Sequence, residues 1–210
     1  MKRLQEILLA VLFSLSVLAV PATAADAEWS LEEDWHLEKE KDGISIFTRE
    51  IPDSPFLAVK ATTSIPIPVA MLAEFLGDGS ECMPWRKMCE SSRVLEVLSE
   101  DERLVYQVLD LPWPISDRDM VIRTLTEIDP ATRTVTVSIE THSDAFPPQK
   151  YTRAETNAQM QLREIGAEAT EFNYVIHADL GGNLSPGLIN PQLVSSTFDD
   201  VQRLIALATQ

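Results

Sequence analysis

The stretch Leu111-Pro112-Trp113-Pro114-Ile115-Ser116-Asp117-Arg118-Asp119-Met120-Val121 joins two runs of alternating apolar and polar residues. Two prolines bracket Trp113. Neither can donate a backbone hydrogen bond, so the segment is neither a helix interior nor a central strand. A connector is ordinarily polar, yet this one carries Trp113 and Ile115. Two readings fit it. It is an apolar flap at the rim of a sheet, gating a ligand site, or a stiff hairpin whose tryptophan packs on the core.

On both sides of the loop the sequence has period two, the repeat of a strand with one buried face. Before it, a strand over 94–98 turns at 99–102, and Leu104, Tyr106 and Val108 alternate with Val105, Gln107 and Leu109. After it, Met120, Ile122 and Thr124 alternate with Val121, Arg123 and Leu125. The pattern recurs over 134–139, 158–163 and 171–176, with short turns at Asp129-Pro130 and Gly166. Strands joined by short turns pair antiparallel. Nearer the N-terminus, 44–49 and 57–64 also read as strands, joined through Pro52-Asp53-Ser54-Pro55.

Helical spacing appears in four places. Val69, Leu72 and Leu76 predict an amphipathic helix over 69–76, and shorter helices are expected over 29–35 and 85–89. After the break at Gly181-Gly182, a long helix runs to about 208. It starts at Pro186 capped by Ser185, or at Pro191 capped by Asn190. Val194, Phe198, Val201, Leu204, Ile205 and Ala208 form its apolar stripe. One terminal helix beside a long sheet predicts that the helix covers the sheet's apolar face.

Residues 1–24 have the layout of a secretory signal peptide. Lys2 and Arg3 precede an apolar run of 14 residues over 7–20, and Ala22-Thr23-Ala24 offers a small-x-small cleavage site. The run is short of the roughly 20 residues that span a bilayer. A single domain over 25–210 and a periplasmic or secreted location are expected. Net charge is −16; removing 1–24 takes away Lys2, Arg3 and Glu6, leaving 15 basic and 32 acidic residues, net −17. Such a chain repels polyanions, which excludes nucleic acid as a partner and argues against tight adhesion to anionic membranes. Brief docking through apolar loops remains compatible with it.

Export would permit a disulfide between Cys82 and Cys89, the two cysteines present. On an unbroken helix they would be ~10.5 Å apart, beyond bridging distance, whereas a break at Pro84 could fold Cys82 back. His36, His142 and His177 have no metal-pair spacing, glycine-rich phosphate loops are absent, and His142-Ser143-Asp144 lacks a nucleophile elbow. No catalytic constellation, metal or cofactor is therefore expected.

Three segments carry a resemblance to a known family: Trp85 followed by Glu90-Ser91-Ser92-Arg93-Val94-Leu95; the Trp-Pro-x-Ser-x-Arg-Asp run from Trp113 to Asp119; and Gly181-Gly182 through Pro186, Leu188-Ile189-Asn190, Phe198 and Leu204. Over nearly all of 29–210 the chain resembles a START domain, the steroidogenic-acute-regulatory-related lipid-transfer family, in its small bacterial exported form. The resemblance implies an α+β helix-grip fold: a curved antiparallel sheet wrapped around the long C-terminal helix, with a hydrophobic tunnel between them. It implies one lipid or other hydrophobic ligand, held and carried by a monomer that is not an enzyme. The alternatives are a cyclase or aromatase acting in a similar cavity, and a non-catalytic lipid sensor.

The residues expected at the ligand are Trp113 and Arg118 at the mouth, Tyr106, Met120, Ile122, Phe172 and Tyr174 on strands, and Phe198 and Val201 on the roofing helix. For Arg118 and Asp119 a structural role in the loop stands beside contact with a ligand head group. For the aromatic residues, simple core filling stands beside cavity lining. Where sterol-carrying relatives place a basic residue in the strand after Arg-Asp, this chain has Thr124, which counts against sterol.

Overall fold

The computed structural model describes residues 34–210. The expected signal segment and most of the expected helix over 29–35 lie outside them. Trp35 has no regular structure, and the chain enters β1 (His36–Lys41) directly after it. β1 was not evident in the sequence because it is a charged edge strand, HLEKEK, with no apolar alternation. Lysines on such an edge discourage pairing with another chain.

The order continues β2 (Ile44–Arg49), β3 (Ala58–Ile65), α1 (Val69–Leu76), β4 (Cys89–Val97), β5 (Glu102–Leu109) and β6 (Arg118–Asp129). It ends β7 (Thr134–Thr141), a 3-10 turn (Ser143–Ala145), β8 (Thr152–Arg153), β9 (Glu155–Gly166), β10 (Ala169–Asp179) and α2 (Pro186–Ala208). The sheet has ten strands in the order β1-β2-β3-β10-β9-β7-β6-β5-β4, with the short β8 added parallel to β6. All other pairings are antiparallel. β3 pairs with β10, so the last strand joins the N-terminal hairpin to the meander.

Register puts the apolar residues on one face. Val105 lies opposite Ile122, Met160 opposite both Val137 and Tyr174, and Leu162 opposite Phe172. These residues, with Ile44, Ile46 and Ala61, form the main core. α2 closes that core with Phe198, Val201 and Leu204, all buried, against β2 and β3. Each such side chain contributes about 1.5–3 kcal/mol by leaving water. The sheet wraps the helix as a helix-grip fold.

The start of α2 is settled by where Asn190 is used. Its Oδ1 accepts the Leu57 N–H at 3.1 Å, so it ties the helix to the connection before β3 rather than capping it. The helix begins at Pro186, with Ser185 O accepting from the N–H groups of Leu188 and Ile189, and Pro191 lies inside it. The expected helix over 85–89 is absent: the chain there makes two turns and then enters β4. Those turns bring the Cys82 and Cys89 Cα atoms to 5.3 Å, and the two residues are joined as a disulfide.

Gly181 and Gly182 break β10 for a steric reason. Both have positive φ, +67° and +74°. A Cβ on Gly181 would meet the Arg153 carbonyl oxygen at 2.6 Å, so only glycine fits this close approach of two chain segments.

Candidate functional site

Beside the main core lies a smaller apolar cluster of Phe56, Leu111, Ile115, Ala154, Leu180 and Ile189. It gathers the 111–117 loop, the end of β10, the first turn of α2 and the connection before β3. Between this cluster and the main core is a cavity of about 90 Å3. Its sheet wall is Leu109, Met120, Tyr174 and Ile176; its loop wall is Leu111, Pro112 and Ile115; its helix wall is Ile189, Leu193 and Thr197. A second cavity of about 20 Å3 adjoins it, lined by Trp85, Met160 and Ile122, and shares Arg86, Met120, Thr156 and Ile176 with the first.

One side of the larger cavity is polar. Gln192, Ser196 and Asp200 stand on α2 at spacings of four, and Arg86 faces it from the disulfide loop. The Lys87 N–H donates to Asp200 Oδ1 at 3.3 Å. Burial pushes the Asp200 carboxyl above the usual carboxylate range, while the positive charge of Arg86 acts in the opposite direction. Burial likewise raises the Tyr174 phenol. The Arg86 guanidinium sits 5.6 Å from the Trp85 ring and 6.0 Å from the Tyr174 ring, and these two rings meet edge to face.

The residues expected at the ligand fall into three groups. Met120 and Tyr174 line the larger cavity, and Ile122 lines the smaller with Met120. Phe172, Phe198 and Val201 are buried in the main core and line neither. Phe198 instead carries the Lys39 ammonium 3.4 Å above its ring.

Tyr106, Arg118 and Trp113 are placed elsewhere. Tyr106 lies opposite Val121, on the face of the sheet away from Met120 and Ile122. There its hydroxyl donates to Asp119 Oδ2 at 3.0 Å, and its ring touches Phe146. Burial first, and the bond to Asp119 second, push its phenol up to about 12. Arg118 is 4% exposed and spends its donors on backbone: Nε on Leu180 O at 2.6 Å, Nη1 on Ser116 O at 2.6 Å, and Nη2 on Gly181 O at 3.5 Å. It braces the loop against the end of β10. Its neighbour Asp119 is fully buried and held by Arg153 Nε at 2.8 Å. Trp113 is 91% exposed, while Leu111 and Ile115 take the inward positions of the loop. The tryptophan is therefore neither core nor the cap of the cavity.

The sequence reading missed Leu109, Leu111, Ile189 and Leu193. Leu109 shares parity with Val105 along β5, and Ile189, Leu193 and Thr197 repeat every four residues along α2, on the flank of the expected stripe. Arg86 and Asp200 carried no such signal, since a polar residue in a turn or beside a helix stripe reads as solvated.

Among the described residues no helix is long and apolar enough to cross a membrane, and no group of three or more His, Cys, Asp or Glu is placed to hold a metal ion. The chain is 26% identical over 181 residues to PA1579 of Pseudomonas aeruginosa, described as an uncharacterized protein; the match spans 85% of this chain and 89% of that one. Its fold is that of a STAR-related lipid transfer protein from Xanthomonas axonopodis, with TM-score 0.75 and 24% identity, covering 85% of this chain and 100% of that one. The human StAR-related lipid transfer protein 5 shares it with TM-score 0.79 and 14% identity, over 89% of this chain and 91% of that one. A family model described as the START domain matches residues 15–209, and the chain belongs to the START domain family.

Proposed function

We propose that this protein binds one hydrophobic ligand, a lipid, between α2 and the concave face of the sheet, and carries it as a non-catalytic monomer. The observation that supports this most is the apolar cavity itself, walled by Leu109, Met120, Ile115, Ile189 and Leu193 at the meeting of the loop, the sheet and the helix. A carrier needs no catalytic group. About ten buried methylenes at ~0.8 kcal/mol each give roughly 8 kcal/mol, near micromolar affinity before the costs of association.

The cavity of about 90 Å3 is smaller than the ~300–1,000 Å3 of ordinary ligand sites, an observation that favours a second reading, a sensor or structural partner with a largely filled core; on the carrier reading the ligand enters as the wall moves. The small cluster around Leu111, Ile115, Leu180 and Ile189 is the wall suited to this, since it is packed apart from the main core. Trp113 supports brief contact with a membrane at the same place. It stands exposed on the loop whose inner residues line the cavity, and indole favours the water–lipid boundary. Export through the 1–24 segment would place the protein in the periplasm or outside the cell.

The test is transfer of a fluorescent lipid between neutral vesicles. Wild type is expected to accelerate transfer in proportion to its concentration, with one lipid bound per chain. Transfer at the spontaneous rate, with no lipid bound, would contradict the reading. N-terminal sequencing of the exported protein checks the leader: Ala25 is the expected first residue, and Met1 would contradict export by cleavage.

A further inference from the structure

The carrier reading leaves open what kind of head group the cavity accepts, and Arg86 bears on it. The other arginines near the site are committed: Arg118 to the carbonyls of Leu180 and Ser116, and Arg153 to the Asp119 carboxylate. Arg86 contacts the Trp85 and Tyr174 rings and acts electrostatically on Asp200, and among the described residues its N–H groups form no hydrogen bond and no close ion pair. It lines both cavities, at their junction. Trp85, 1% exposed, lines the smaller one, and its buried Nε1 also has no acceptor among the described residues. Two sets of unspent donors thus stand on the lining of the cavities, the Trp85 Nε1 buried and the Arg86 guanidinium half-buried. A buried donor without a partner is costly, and an anionic oxygen supplies the strongest one.

We propose that Arg86, backed by the Trp85 and Tyr174 rings, anchors the carboxylate of a single-chain fatty acid whose hydrocarbon lies along Met120, Ile115, Ile189 and Leu193. This rests on the carrier reading and names its ligand class. Two observations favour a carboxylate over a phosphate. A carboxylate is the smaller head, and it asks less movement of the walls of a cavity of about 90 Å3 than a phosphodiester with its substituents does. Asp200 also stands on the same wall, within reach of the Arg86 charge, so a second negative charge on the ligand is opposed. The guanidinium offers a fork matched to the two oxygens of a carboxylate. The disulfide between Cys82 and Cys89 closes the short loop that carries Arg86, which limits how far the anchor can drift.

Binding of hexadecanoic acid, its methyl ester and a monoacyl glycerol phosphate to the folded protein tests this. Wild type is expected to bind the acid about tenfold or more above the ester, the size of one charge-assisted hydrogen-bonded contact. Arg86→Gln should bring the acid down to the level at which the same variant binds the ester, and its urea unfolding transition shows that the variant is folded. Asp200→Asn should hold or raise affinity for the acid. Equal binding of acid and ester by wild type, or an Arg86→Gln variant that keeps the preference, would overturn the anchor and leave the carrier reading standing. Binding of the monoacyl phosphate ahead of the acid would overturn the carboxylate assignment. Failure of acid, ester and phosphate alike to bind would overturn the carrier reading and the anchor together.

Discussion

Single residues around the cavity separate stability from function. Trp113 is 91% exposed, so Trp113→Ala should change unfolding free energy by no more than about 0.5 kcal/mol, the usual range for surface substitutions. If its indole docks the loop on a bilayer, the same variant transfers lipid more slowly between vesicles while binding it equally in solution. Gly181 behaves in the opposite way. A Cβ there meets the Arg153 carbonyl at 2.6 Å in a left-handed backbone, so Gly181→Ala should lower stability by about 1–3 kcal/mol, read as a shift in the urea midpoint. Asp200 makes stability depend on pH. Burial raises its folded pKa above that of the unfolded chain, so its contribution to folding is present below the unfolded value and is lost as pH rises through the folded one. Asp200→Asn keeps an oxygen for the Lys87 N–H and removes the ionisation. Its stability relative to wild type should therefore climb as pH rises from the acid side, measured by urea unfolding at several pH values.

At the scale of elements, the proposed carrier role puts control of access at the joint between the 111–117 loop and the first turns of α2. Ile189 is 1% exposed in the small cluster under that joint, so Ile189→Ala should cost about 2–5 kcal/mol and speed ligand exchange. The disulfide loop is the second element on the cavity wall. Denatured, unreduced protein should show no titratable thiol, and reduction should loosen Arg86 together with Met88, which lies between the two cysteines and also lines the cavity. Parity made part of this level readable in advance: alternation puts Met120 with Ile122 and Phe172 with Tyr174 on one face, and Met120, Ile122 and Tyr174 line the two cavities while Phe172 fills the core. Tyr106 escaped that logic because its side depends on the β5–β6 register, which a Pro-rich loop of unknown geometry hides. Arg118 escaped it too, since a buried arginine spending its donors on carbonyls of a distant segment leaves no local trace.

For the whole molecule, order and periodicity were enough for an antiparallel sheet with a terminal helix on its apolar face, and the resemblance to the START family implied the helix-grip form. The antiparallel meander, the glycine break and one terminal amphipathic helix are legible in the spacing, and the structure has them in the helix-grip form that the resemblance implied. What the sequence could not disclose was closure. Nothing in the spacing of Leu111, Ile115, Leu180 and Ile189 says that they meet, because they come from three separate segments. Nor does it give the volume left inside, which depends on packing at the scale of single methyl groups. Native mass spectrometry of protein purified from its own source, followed by solvent extraction, tests the central claim most directly. The account predicts one lipid-sized adduct per chain, displaced in the Leu193→Trp variant, whose added bulk fills the chamber. A bare chain mass with no lipid in the extract would contradict it.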